Sequence, residues 1–174
     1  STVTVNLNVK NEGLNTLDES TLASGELFSF DLDVEESEAT NDQIRVTGVG
    51  GGPITNTLVV SRIYTESGEY KVQKCIVGSN DVGLPNTDGD LGANPDATCN
   101  PAFFEYTMDP VNDIAIRMKN VSTGETNISV QSSPVRVAYR LTASGQFEGA
   151  GSSVEYIYTA STQAPTLFDY VLFN

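Results

Sequence analysis

Residues 1–10 read STVTVNLNVK, and this stretch indicates the fold. Its apolar side chains alternate strictly with polar ones, and they are Val3, Val5, Leu7 and Val9. Successive side chains of an extended strand point to opposite faces, so a period of two is typical of a strand with one buried face. The stretch therefore predicts a β-strand that completes a sheet, either of its own chain or of a neighbouring copy.

Short apolar segments of the same kind recur along the chain between clusters of Gly, Pro, Asn, Asp and Ser. Such spacing is typical of an all-β sandwich. We expect one domain over residues 1–174, an antiparallel β-sandwich of Ig-like type with about eleven strands. Besides the first, the predicted strands cover residues 27–34, 44–49, 57–64, 70–77, 102–108, 114–119, 127–131, 135–141, 154–159 and 167–173.

Three connecting segments have more specific predictions. Residues 65–69, TESGE, indicate a hairpin turn with Gly68 in the left-handed region. The Gly-rich residues 143–152 are expected to form a second turn. Residues 15–23 have the only helical pattern, because Thr16 and Glu19 have the spacing of a capping box.

Charge composition excludes several partners. The chain has 23 acidic and 9 basic residues and a net charge of −14. A polyanionic surface repels phosphate backbones, so we expect no nucleic-acid partner. The apolar runs are also much shorter than the roughly 20 residues that a membrane-spanning helix needs, so no transmembrane segment is expected. This acidity suits an extracellular or cell-surface protein, which would be present here in its mature form.

The two cysteines, Cys75 and Cys99, lie beside turn-rich sequence. They are either free buried thiols or a disulfide. We favour the disulfide, because the segment between them is too poor in apolar residues to hold itself in place. Such a bridge would stabilise the fold by about 3 kcal/mol and would require an oxidising compartment.

The chain contains no histidine, which removes most catalytic machinery. Ser-His and Cys-His nucleophile pairs and the usual zinc and copper sites all depend on this side chain. Carboxylate pairs remain, such as Asp31 and Asp33 on one face of a predicted strand. Carboxylates in that pattern more often form the exposed face of a strand. We therefore expect a protein without catalytic residues.

The segment 78–96 is the richest source of oxygen ligands. Asn86, Asp88 and Asp90 alternate around a glycine, and Ca²⁺ prefers six to eight such hard oxygens. The spacing lacks the final glutamate of an EF-hand loop. The alternatives are a structural Ca²⁺ ion, the one cofactor expected, and a metal-free surface loop of Asx turns closed by the disulfide.

Two N-x-S sequences are candidate glycosylation sites. They begin at Asn120 and Asn127, and each places a serine two residues later. In a secreted protein such asparagines accept glycans when they are exposed.

Residues 135–159 read VRVAYRLTASGQFEGAGSSVEYIYT, and residues 167–173 read LFDYVLF. Residues 135–159 resemble the paired strands near the end of PilX-like minor-pilin ectodomains. Residues 167–173 are similar to a segment that follows that hairpin in related pilus-associated proteins. The resemblance implies a pilin-like, pilus-associated β-rich sandwich. Type IV pilins also have a long apolar N-terminal helix, whereas this sequence has a strand at that place. The helix is either removed, or the likeness is confined to the hairpin.

The sequence leaves two functional hypotheses open. The first is a non-enzymatic structural subunit of an extracellular filament or pilus. In this homo-polymer residues 1–10 would act as a donor strand, with Val3, Val5, Leu7 and Val9 filling a groove of the next copy. The second is a monomeric cell-surface adhesin or carbohydrate-binding module with a calcium-stabilised loop.

Overall fold

The computed structural model describes residues 6–14, 16–31, 43–79, 91–133, 138–147 and 150–158. In these ranges the chain forms β-strands and one 3₁₀ turn, Val49–Gly51, without any α-helix. The prediction of an all-β fold is confirmed. The strands are β1 (Asn6–Leu14), β2 (Thr16–Leu22), β3 (Leu27–Asp31), β4 (Gln43–Gly48), β5 (Leu58–Glu66), β6 (Glu69–Val77), β7 (Ala97–Cys99), β8 (Phe103–Thr107), β9 (Asp113–Asn120), β10 (Thr126–Ser133), β11 (Ala138–Phe147) and β12 (Ala150–Tyr158).

Two antiparallel sheets enclose the hydrophobic core. One has the strand order β2-β10-β4-β8-β7 and the other the order β3-β9-β5-β6. The alternation predicted from the sequence is visible in β4, where Ile44 and Val46 are buried and Arg45 between them is exposed. Apolar side chains from both sheets form one cluster, which includes Leu58, Val60, Phe104, Tyr106, Ile116, Met118, Ile128 and Val130. The sandwich prediction is thus confirmed.

A third sheet has the order β1-β11-β12 and is antiparallel throughout. β1 is separated from β2 by one residue, and β11 follows β10 after residues 134–137. Since β2 pairs with β10 and β1 pairs with β11, the same two stretches of chain form ladders in both sheets. The third sheet is therefore joined to the sandwich at its β2–β10 edge.

The hairpin between β5 and β6 has the predicted position. Its two turn residues are Ser67, with φ of 55°, and Gly68, with φ of 81°. Positive φ at both central residues is the signature of a type I′ turn, which matches the twist of the paired strands. The left-handed conformation predicted for Gly68 is confirmed.

Two local predictions were wrong. Residues 16–22 form β2 instead of a helix, because pairing with β10 and burial of Leu22 outweigh the weak capping-box signal. Residues 143–152 do not form one broad turn, since Gly145 lies inside β11 opposite Ser152 of β12. The predicted strand 167–173 lies outside the described residues.

Candidate functional site

The three-stranded sheet that contains β1 is the candidate site. β1 pairs along its whole length with β11 of the same chain, from Asn6 opposite Gln146 to Leu14 opposite Ala138. β12 covers the other side of β11. Among the described strands none lies beyond β1 or β12, so these two strands are the outer edges of the sheet.

The four predicted donor-strand residues have different outcomes. Val3 and Val5 lie outside the described residues. The backbone of Leu7 lies opposite Gly145, and that of Val9 lies opposite Ala143. The side chain of Val9 is 58% exposed, so it does not enter the core of its own chain.

The sheet has one apolar face, which we call the apolar face and define by Val9, Leu141, Ala143, Val154 and Tyr156. Directly paired residues of antiparallel strands lie on the same face. The pairs Val9–Ala143, Ala143–Val154 and Leu141–Tyr156 therefore place these five residues together. Large side chains on this face are exposed, at 58% for Val9, 66% for Val154 and 62% for Tyr156.

The opposite side of the sheet, the reverse face, carries the charges and one exposed apolar residue, Ile157, which lies opposite Arg140. Lys10 and Glu155 lie on either side of Thr142 in the register of this face. Arg140 lies on the same face, two residues before Thr142 in β11. The guanidinium of Arg140 and the carboxylate of Glu155 are 3.3 Å apart. Both side chains are substantially exposed, and an ion pair of this kind contributes at most about 1 kcal/mol. The sheet is therefore amphipathic.

The predicted disulfide is confirmed. Cys75 of β6 is bonded to Cys99 of β7, 24 residues later. β6 and β7 belong to different sheets, so the bond ties the two layers of the sandwich together. Cys75 is 1% exposed, which places the bridge within the core.

The candidate calcium ligands Asn86, Asp88 and Asp90 lie outside the described residues. Immediately after them, Leu91 is fully buried and Asn94 accepts a hydrogen bond from the amide of Asp96 at 2.9 Å. Over the part of the chain that the structure describes, no group of three or more His, Cys, Asp or Glu side chains is arranged for a metal ion. The calcium site stays a prediction.

The carboxylate pair considered for catalysis is likewise outside this description. Only the backbone of Asp31 is described, at the end of β3, and Asp33 falls beyond it.

The two candidate glycosylation sites differ. Asn120 is fully buried, and its amide nitrogen donates to the carbonyls of Leu22 at 2.9 Å and Gly124 at 2.7 Å. A glycan on that nitrogen is incompatible with the folded chain, so this prediction is corrected: Asn120 links the end of β9 to the end of β2 and to the loop before β10. Asn127 is exposed and accepts a hydrogen bond from Thr21 at 2.6 Å. Its glycosylation stays a prediction.

A buried polar cluster, which the sequence analysis missed, crosses the sandwich. Arg62 of β5 donates from Nε to Asp113 of β9 at 2.5 Å and from a terminal nitrogen to Gln73 at 2.9 Å. Tyr106 of β8 donates its hydroxyl to the other carboxylate oxygen of Asp113 at 2.6 Å. The guanidinium also lies 4.1 Å from the ring centre of Tyr64. Strands of both sheets are thus joined by one carboxylate.

Burial shifts the pKa values of two groups in this cluster, Tyr106 and Asp113. Burial raises the pKa of the Tyr106 phenol, and the hydrogen bond to the carboxylate of Asp113 raises it further. Burial also raises the pKa of Asp113, while the donors Tyr106 and Arg62 act in the opposite direction. Both oxygens of Asp113 are occupied by donors from Arg62, Tyr106 and the amide of Asp109. The arrangement fastens the two sheets to each other.

Comparison of the chain with protein-family models found no match, and comparison with curated proteins found none. Within the described ranges, no helix has the length and apolar character needed to cross a bilayer. The resemblance of residues 135–159 to minor pilins stays a prediction. The geometry of the three-stranded sheet is therefore the basis for a functional proposal.

Proposed function

We propose that the protein is a non-enzymatic structural subunit of an extracellular filament, which assembles as a homo-polymer by β-strand complementation through β1. One observation carries this proposal. β1 (Asn6–Leu14) and β12 (Ala150–Tyr158), each of nine residues, are the two outer edges of one small sheet. Edge strands present a row of backbone donors and acceptors to which another strand can be added.

The two edges differ in sequence, which determines the kind of assembly. If the outer edge of β1 pairs with β12 of the next copy, each subunit gives one edge and receives the other. Such head-to-tail contacts do not close on a two-fold axis and extend into a filament unless the rotation forms a ring. In this arrangement β1 keeps its partner β11 and uses its second edge for the neighbouring copy.

The edge of β12 also lacks the features by which proteins normally prevent strand addition. Its sequence AGSSVEYIY has no proline and one charged residue, Glu155, whose carboxylate is already close to Arg140. Two of the outer strands of the sandwich, β6 and β7, are better protected. β7 has only three residues, and β6 carries charges that include Lys71 and Lys74. Short strands and lysines on edges disfavour pairing.

The rest of the molecule suits an extracellular location. The bond between Cys75 and Cys99 requires an oxidising compartment to persist. A net charge of −14 keeps subunits apart except where contacts are specific. The disulfide fits an extracellular filament subunit, and the high net charge restricts contacts between subunits to specific surfaces.

A peptide with the sequence of residues 6–14 tests the proposal. Because it presents the β1 edge without a following subunit, we expect it to occupy the β12 edge and end growing filaments. Filament length in negative-stain micrographs should fall with peptide concentration. A peptide of the same composition in scrambled order is the control. An unchanged length distribution at saturating β1 peptide would overturn the proposed contact.

A further inference from the structure

We propose that the apolar face of the three-stranded sheet is covered by the same face of a second copy, so that the filament contains two layers of sheet. This inference rests on the proposed function and adds a second contact to it. The edge contact extends the filament, whereas the face contact joins two strands of subunits side by side.

The large side chains of the apolar face are exposed. Val9, Val154 and Tyr156 come from the two outer strands, and each residue is more than half exposed, at 58%, 66% and 62%. Leu141 of the central strand is 36% exposed. β-branched and aromatic residues on one face of an amphipathic sheet normally pack against a second layer. In the described part of the chain, that layer is present in the sandwich but not on this sheet.

The second argument is charge, and it selects another copy as the occupant. The chain carries a net charge of −14, so most contacts between two copies bring acidic groups together. The five residues of the apolar face are all uncharged, while Lys10, Arg140 and Glu155 lie on the reverse face. An uncharged face also offers nothing to a strongly charged ligand. Two copies therefore meet with least repulsion through this face.

The third argument is area. Nine residues at about 3.3 Å and three strands at about 4.8 Å give a face of roughly 30 by 14 Å, or about 400 Å². One pair of such faces is smaller than the interface of a stable dimer, which buries about 1,600 Å² in total. In a filament the contact repeats at every subunit, and the repeats act together. Face pairing is thus expected to be strong in filaments and weak between isolated chains.

The test compares adjacent residues on opposite faces of β11, the central strand, so that neither variant adds a lysine to an open edge. Leu141→Lys places a charge on the apolar face, and Thr142→Lys places the same charge on the reverse face. We expect wild-type filaments and Thr142→Lys filaments to have twice the mass per length of a single row of subunits. Leu141→Lys should halve that value while filaments persist. Unchanged thermal unfolding of the sandwich shows that each variant folds.

A second pair of variants tests whether the effect depends on the position chosen within β11. Ala143→Lys lies on the apolar face and Ser144→Lys on the reverse face. The first should halve the mass per length, and the second should leave it unchanged. If wild-type filaments have the mass of a single row, or if the two variants within each pair behave alike, the face contact is overturned.

The outcomes separate this inference from the proposed function. Single-row wild-type filaments contradict the face contact and leave the edge contact in place. Dimers without filaments, weakened at least tenfold by Leu141→Lys but not by Thr142→Lys, support the face contact and contradict the filament. Covering of the face by residues 159–174 of the same chain would appear as monomers at every concentration, and that result overturns both.

Discussion

Arg62 occupies a position of β5 that its neighbours in the pattern fill with apolar residues, and this indicates a buried partner. In β5 the inward positions are Leu58, Val60 and Arg62, and the arginine is only 7% exposed. An arginine in phase with buried aliphatic side chains requires a buried partner, because an unpaired charge in a core is very costly. That signal was present in the sequence. The identity of the partner was not, since Asp113 is 51 residues away.

Removing Arg62 is expected to destabilise the fold strongly. Arg62→Met retains an apolar stem but leaves the carboxylate of Asp113 without its cationic partner. Breaking one side of a buried ion pair costs about 3–5 kcal/mol. We expect a loss in this range, measured as the free energy of unfolding in urea.

Arg45→Met is the matched control for this variant. Arg45 and Glu105 also form an ion pair, at 3.2 Å, but their side chains are 50% and 34% exposed. An exposed pair contributes at most about 1 kcal/mol. Equal losses for Arg62→Met and Arg45→Met would show that the buried cluster does not join the two sheets as described.

Tyr106 gives the stability a dependence on alkaline pH. Burial and the hydrogen bond to Asp113 raise its pKa in the folded protein, whereas the unfolded chain releases this proton near pH 10. The unfolded state therefore binds fewer protons above pH 10, so stability conferred by Tyr106 is complete below pH 10 and is lost as pH rises beyond it. One proton corresponds to about 1.4 kcal/mol per pH unit.

The variant Tyr106→Phe should remove this slope. Urea unfolding between pH 9 and pH 11 is expected to show a steeper decline for wild type than for the variant. At neutral pH the variant should lose about 1–2 kcal/mol, because Asp113 loses a donor. Parallel declines for the two proteins would mean that the phenol ionises equally in both states.

At the scale of elements, the local sequence pattern predicted most of the strands. It failed where a strand forms because it pairs with a strand distant in sequence. The alternation in 27–34 and 70–77 corresponds to β3 and β6, although residues 32–34 lie outside the described part. β2 was mistaken for a helix because its strand character comes from pairing with β10, more than 100 residues away. β7 was missed because three residues are too few to show a period.

The sequence predicts that the candidate site contains a β-strand, but it does not predict which strands lie beside it. The alternation in residues 1–10 correctly predicts an extended strand over the described residues of β1. It does not indicate which strand becomes the partner, because β11 begins at residue 138. The apolar face was equally hidden, since it combines side chains of β1, β11 and β12 that are distant in sequence.

At the scale of the whole molecule, the features that stabilise the fold lie apart from the surfaces that we propose for assembly. The sandwich has a shared core, a disulfide between its layers and a buried ion cluster. The three-stranded sheet exposes its apolar face, and β1 and β12 are its outer strands among the described residues. Under the proposed function, a subunit can therefore remain folded before it meets another copy. We therefore expect the sandwich to survive changes that abolish assembly.

Negative-stain electron microscopy of the full chain beside a variant lacking residues 1–14 tests the central claim most directly. The variant has no β1, while the sandwich strands β2–β10 and the disulfide are retained. Because assembly requires β1, we predict filaments from the full chain and folded monomers from the variant. Filaments of the same form from the variant, or only monomers from the full chain, would contradict it.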